Sequence, residues 1–264
     1  MTEFRTFGRC RVAVASVLAA LALMPGPSLA EAPGAIKPSD LTSLKHFSPY
    51  AFRSVPDQVF FGDMHIHSNL SPDAGLLGTS LTAADVFRAA RGDTVISNTG
   101  QPFRLVRPLD FLVLTDHAEA MGLAPMVREG NPVLLSSSRG RAVYEAFKAG
   151  GQQAMQAFGG LLADVSAGVN PFADIDMAGS IWPEFVKLAD TYNQPGVFTA
   201  MTGFEWTSQP GGNNLHRIVV FADGADKTSR IQPFSMFDSQ DPAKLWDYME
   251  SYEASTGGRV FAHV

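Results

Sequence analysis

The chain has 264 residues, 45% of them hydrophobic and 17% charged, with a formal net charge of −6. That composition suits one globular domain with a sizeable core and excludes a disordered chain or a membrane bundle. The acidic balance, with no basic run after Arg11, argues against nucleic acid binding, so a small-molecule substrate is the expected partner.

At the N-terminus Arg5, Arg9 and Arg11 precede an apolar run of 13 residues, Val12 to Met24, and Ser28-Leu29-Ala30 supplies small residues before a cut. The run is shorter than the roughly 20 residues a membrane span needs, and Pro25, Gly26 and Pro27 follow it at once. Residues 1–30 therefore read as a signal peptide. The mature protein is expected to be exported, periplasmic or secreted, with no stable membrane anchor after cleavage. Cleavage would remove Cys10, the only cysteine, so any metal site must use imidazole and carboxylate groups.

Residues 31–57 carry Pro33, Pro38, Pro49 and Pro56 among polar neighbours and read as an extended lead-in, with His46 a solvated residue. The folded domain is expected over 58–264. Its first apolar run, Val59 to Gly62, reads as a strand leading into Asp63-Met64-His65-Ile66-His67. On a strand, Asp63, His65 and His67 share one face. Thr82 then caps a helix with Ala83, Val86, Phe87 and Ala90 on one side, stopped by Gly92.

The run Phe111 to Leu114 reads as a buried strand ending in Thr115-Asp116-His117. Residues 122–178, rich in Gly, Ser and Ala, read as a helical insertion or lid. Ser180 is placed as the cap of a helix over 181–193, with Pro183 in its first turn. A strand from Val197 to Phe204 leads into Glu205, and Leu215 to Phe221 reads as an additional strand beside it rather than a crossover unit. Asp241 and Pro242 open a helix closed by Gly257 and Gly258, and a last strand, Val260 to Ala262, leads into His263.

A single His-x-His is weak evidence of a metal. Here four separate apolar strands each deliver a potential ligand at their ends, and strand ends converge at one face of a βα fold. A carboxylate between Phe204 and Trp206 is costly to bury without a cation or base, and a metal is the simplest partner for Glu205.

Asp63-Met64-His65-Ile66-His67-Ser68, Ser71-Pro72-Asp73-Ala74-Gly75 and Leu114-Thr115-Asp116-His117-Ala118-Glu119 resemble the motifs of the polymerase and histidinol phosphatase (PHP) superfamily of metallohydrolases. Gly203-Phe204-Glu205-Trp206-Thr207-Ser208 with Gly212-Asn213-Asn214-Leu215-His216-Arg217 is similar to an exported, uncharacterised bacterial branch of it. The resemblance runs from about Phe60 to the end of the chain. It implies a distorted (β/α)7 barrel with two or three divalent ions (Zn, Mn or Fe) at the strand C-termini, acting on phosphate esters. Carried onto this sequence, it makes His65, His67, Asp73, His117, Glu205 and His263 metal ligands.

Asp63 and Asp116 are expected to orient metal-bound imidazoles. His216 is weighed between substrate binding and structure, with Arg217 facing the opposite way. Glu205, His216 and Asp116 are thus the candidate catalytic residues. The family's barrel closes with a further Asp-x-His pair on a late strand, whereas this sequence stops at Val264, so a C-terminally incomplete domain is expected. Two other readings compete: an amidohydrolase-like C–N or C–O hydrolase, whose metal-bridging lysine has no counterpart at these strand ends, and a non-catalytic periplasmic metal-binding protein or inactive fragment.

Overall fold

The computed structural model describes residues 59–264, so the expected signal peptide, the lead-in and His46 lie outside the described residues. In chain order the strands are β1 (Gly62–Asp63), β2 (Val95–Ile96), β3 (Pro102–Phe103), β4 (Phe111–Leu114), β5 (Thr199–Ser208), β6 (Leu215–Phe221) and β7 (Val260–His263). The helices are α1 (Pro72–Leu76), α2 (Ala83–Ala90), α3 (Leu123–Glu129), α4 (Pro132–Ser136), α5 (Ser138–Ala149), α6 (Gly151–Ser166), α7 (Met177–Tyr192), α8 (Ala225–Thr228) and α9 (Pro242–Thr256). Among the described residues no helix is long and apolar enough to cross a membrane.

Five strands form one sheet in the order β1-β4-β5-β6-β7, while β2 and β3 make a separate antiparallel pair. β1, β4 and β5 run parallel; β6 is antiparallel to both its neighbours. The turn from β5 to β6 spans only residues 209–214, and a parallel return needs a crossover of roughly a dozen residues or more. The protein is therefore a mixed α/β fold whose sheet contains a parallel half. The sheet is open among the described residues, and no closed barrel is formed.

Alternation along the strands sorts side chains between two faces. Phe204 and Trp206 of β5, Val219 and Phe221 of β6 and Leu112 and Leu114 of β4 pack under α2, α7 and α9, against Phe87, Trp182, Phe185 and Tyr252. Val113, Ile218 and Val220 occupy the other face with Met64 and Met201. Gly203 belongs to that second face, where a Cβ would lie 2.7 Å from the Val113 side chain and from the Val219 carbonyl. The segment expected as an insertion holds α3 to α6, which surround their own core of Leu123, Met126, Leu134, Val143 and Phe172.

Local capping accounts for most helix ends. Thr82 and Asp85 form a reciprocal capping box at α2, and Asp241 caps α9 with Pro242 in its first turn and Gly257 in the left-handed conformation at its end. Two expectations are corrected. α7 starts at Met177, because the Asp176 carboxylate accepts from the Gly179 amide and takes the capping role given to Ser180. Pro183 consequently lies inside the helix. The first strand is short: Val59, Phe60 and Phe61 are exposed and only Gly62 and Asp63 pair with β4.

Candidate metal centre

His65 and His67 leave β1 on an extended stretch rather than on a strand. This stretch still tracks β4, since the Thr115 amide donates to the Ile66 carbonyl and the Ile66 amide to the Thr115 hydroxyl. Asp116, fully buried, fixes the next step: its carboxylate accepts from both the amide and the hydroxyl of Ser68. Burial pushes the Asp116 carboxyl up to about 6 against those two bonds. Asp116 thus holds the loop that carries His67, and among the described residues it bonds Ser68 rather than an imidazole, which differs from the ring-orienting role expected of it. Asp63 differs in the same way, as its carboxylate accepts from the His65 backbone amide.

Glu205 lies within β5, seven residues into the strand, rather than beyond its end. It is 1% exposed and pairs in register with Ile218, while a parallel bridge joins it to His117 at the end of β4. Its Oε2 stands 2.8 Å from His67 Nε2, 3.2 Å from His65 Nε2 and 3.5 Å from His117 Nε2. Its Oε1 stands 2.5 Å from His216 Nδ1. Because β6 runs back beside β5, His216 pairs with Thr207 and returns to the same end of the sheet. Arg217 pairs with Trp206, and its guanidinium donates to the His216 carbonyl.

Asp73, near the start of α1, completes the cluster: Oδ1 lies 3.0 Å from His67 Nδ1 and Oδ2 lies 3.7 Å from His117 Nε2. The Ser71 hydroxyl donates to Asp73 and also touches His67 Nδ1. Three overlapping groups result: His65, His67 and Glu205; His67, Asp73 and His117; His117, Glu205 and His216. Within each group the ligand atoms lie within 4.8 Å of one another.

His263 is placed elsewhere. It faces the Glu205 side of the sheet, opposite Ile218, but β6 separates β7 from β5, a spacing of about 9.5 Å across two strand intervals. Its Nδ1 meets the Val264 carbonyl, and it belongs to none of the three groups. The structure therefore does not bring His263 together with the other expected ligands among the described residues.

Electrostatics mark the cluster as a place for positive charge. Burial opposes ionisation of Glu205, yet the bond from His67 and the nearby His117 and His216 rings hold it below the usual glutamate range. Burial likewise opposes a charged His67, but Asp73 and Glu205 push its pKa up to about 10. His216 is pushed down, by burial first and by the neighbouring rings, against Glu205.

Glu119 was given no role in the sequence reading. It is buried, and its Oε1 accepts from the Thr207 and Met236 amides while Oε2 lies 3.4 Å from His117 Nδ1. The Thr207 hydroxyl sits 3.1 Å from the same nitrogen. The Thr207 hydroxyl, with the Glu119 carboxylate beside it, fixes this ring so that its other nitrogen faces the site. The available signal was the spacing of Glu119, two residues beyond His117.

The donor set fits divalent ions. Ligand atoms sharing one ion at about 2.1 Å lie about 3–3.5 Å apart, close to the separations around Glu205 Oε2. His67 Nε2 is buried without a partner of hydrogen-bond geometry, as is Glu119 Oε2. Imidazole and carboxylate ligands without thiolate admit zinc, manganese or iron.

Fold and site together define an α/β protein with a histidine and carboxylate cluster, positioned to bind metal ions, at the end of a partly parallel sheet. The chain belongs to the family described as protein of unknown function (DUF3604), whose model matches residues 54–264. Neither curated proteins nor solved structures yield a match.

Proposed function

We propose that the protein is a metal-dependent hydrolase, a phosphoesterase, that uses two or three divalent ions to activate water. The observation that carries this reading is the sharing of His67, His117 and Glu205 among three adjacent ligand groups. Glu205 presents one oxygen to three rings and the other to His216, so both of its oxygens would be available to hold ions there. His65, half exposed, leaves one side of the cluster open to a substrate. The distorted barrel implied by the PHP resemblance belongs to the same proposal, supported by the parallel order of β1, β4 and β5 and by ligand delivery at their C-terminal ends.

His65, His67, Asp73, His117, Glu205 and His216 would hold the ions. When bound, such ions supply Lewis acidity toward a phosphoryl oxygen and toward water. The chain's own contribution is positional. Asp116 sets the His67 loop through Ser68, and Glu119 with Thr207 sets the His117 ring. No side chain has to act as nucleophile. Export to the periplasm or beyond stands with this proposal and rests on the N-terminal sequence pattern alone.

The test is metal analysis and phosphoesterase assay of the purified full chain beside His65→Ala. The wild type should carry metal and cleave a generic phosphodiester, and the variant should lose both metal and activity, by about 100-fold or more in rate. Activity that persists after complete metal removal would overturn the proposal. Bound metal without turnover of any ester would favour a metal-binding protein instead.

A further inference from the structure

A cavity of about 280 Å³ opens directly beside the cluster. At one end its walls are Asp73, His117 and His216; at the other they are α6 and the start of the segment after it. The α6 residues in its wall are Phe158, Leu161, Leu162 and Val165, spaced as one helical face. That face is only partly consumed by the protein's own cores, through Leu161. Only Leu161 is buried, and Leu162 is 52% exposed. An apolar helix face left uncovered beside a charged cluster is a binding surface in search of apolar ligand atoms.

Charge narrows the ligand further. No lysine or arginine lines the cavity, while Asp73 and Glu119 do. A second anionic group, such as a further phosphate or a carboxylate, would find no counter-charge there and would lose its hydration. Size narrows it again. A closed apolar cavity of about 150 Å³ accepts benzene, so this one, at about 280 Å³, suits a compact aromatic group of one or two fused rings or a short branched chain. Gln209, whose Oε1 is buried without a protein partner, offers one acceptor on the same wall.

We infer that α6 makes the protein selective for small esters with one anionic end, held at the cluster, and a compact, uncharged, apolar remainder seated in this cavity. The inference rests on the hydrolase reading above and names its substrate class. In the reaction, the water oxygen bonds to phosphorus and the bond from phosphorus to the organic oxygen breaks. That oxygen takes up one of the water's protons, and phosphate and an apolar alcohol or phenol leave.

The experiment compares hydrolysis of naphthyl phosphate and glycerol phosphate by the metal-loaded full chain, Leu162→Glu and Phe158→Ala. Leu162 is half exposed, so its variant should fold, and circular dichroism checks this. The wild type should favour naphthyl phosphate by about tenfold or more in kcat/KM, and both variants should bring that ratio toward one. A wild-type ratio near one, or a ratio that Leu162→Glu leaves in place, overturns the inference while the hydrolase reading stands. If neither ester is cleaved, the phosphodiester assay above decides the hydrolase reading and titration with naphthylphosphonate decides the cavity. Binding weakened by Leu162→Glu supports the apolar subsite; absent or unaltered binding overturns it.

Discussion

Glu205 sits among four imidazole rings at a depth where an uncompensated carboxylate costs several kcal/mol. In the metal-free protein the compensation comes from protons on the His67 and His117 rings, whose pKa values are raised. His67 shows this most strongly, since Asp73 and Glu205 overcome its burial and raise it to about 10. A cation can take a nitrogen of that ring only after the proton leaves. At pH 7, metal uptake should therefore release a proton from His67, and affinity should fall by up to about tenfold for each unit of acidification. Zinc titrations in buffers of different ionisation enthalpy measure this; identical heats in every buffer would show that no proton is displaced. Folding of the metal-free chain follows the same sign. The raised pKa of His67 contributes its full stability below pH 6.5 and loses it as pH climbs through about 10.

Helices and strands deliver these residues through contacts of very different range. The ends of α2 and α9 were legible because capping is local: Thr82 with Asp85, and Asp241 with Pro242 and Gly257, lie within or beside the element they delimit. Thr82→Ala should cost about 1 kcal/mol and lower the melting temperature by about 2–4 °C, with bound metal unchanged, because α2 packs on the helix-covered face of the sheet. Thermal denaturation with metal analysis checks this, and an unaltered melting temperature would show that the box contributes nothing. The start of α7 was misread because Ser180 and Asp176 both have capping chemistry. Only the path of the chain after Phe172 decides which one meets free amides. β1 was overextended for a related reason. Val59, Phe60 and Phe61 look like a buried strand, yet all three stay more than half exposed.

At the scale of the whole molecule, the cluster links parts of the chain up to 151 residues apart, from His65 to His216. Ions that bind only this assembled arrangement must stabilise it, by about 2.7 kcal/mol at a hundredfold excess over Kd. Removing metal with a chelator should thus lower the melting temperature by about 5–10 °C. Equal melting with and without chelator would mean that the folded cluster holds no ion. The sequence by itself offered His65, His67, His117, Glu205 and His263 as candidates, because residue type and the alternation of apolar runs with polar ends are local properties, while Asp73 came only through the family resemblance. It also placed β6 beside Glu205, since Gly211-Gly212 leaves room only for a tight return. Three matters were decided by tertiary structure alone. His216 reaches Glu205 and His263 does not, because strand order sets β6, and not β7, next to β5. Asp116 serves Ser68 while Glu119 serves His117, because a carboxylate's partner depends on which loop packs over it. α6 commits only Leu161 of its apolar face to a core and leaves Leu162 exposed toward the cavity beside the cluster, because the number of core positions available is a property of the folded whole.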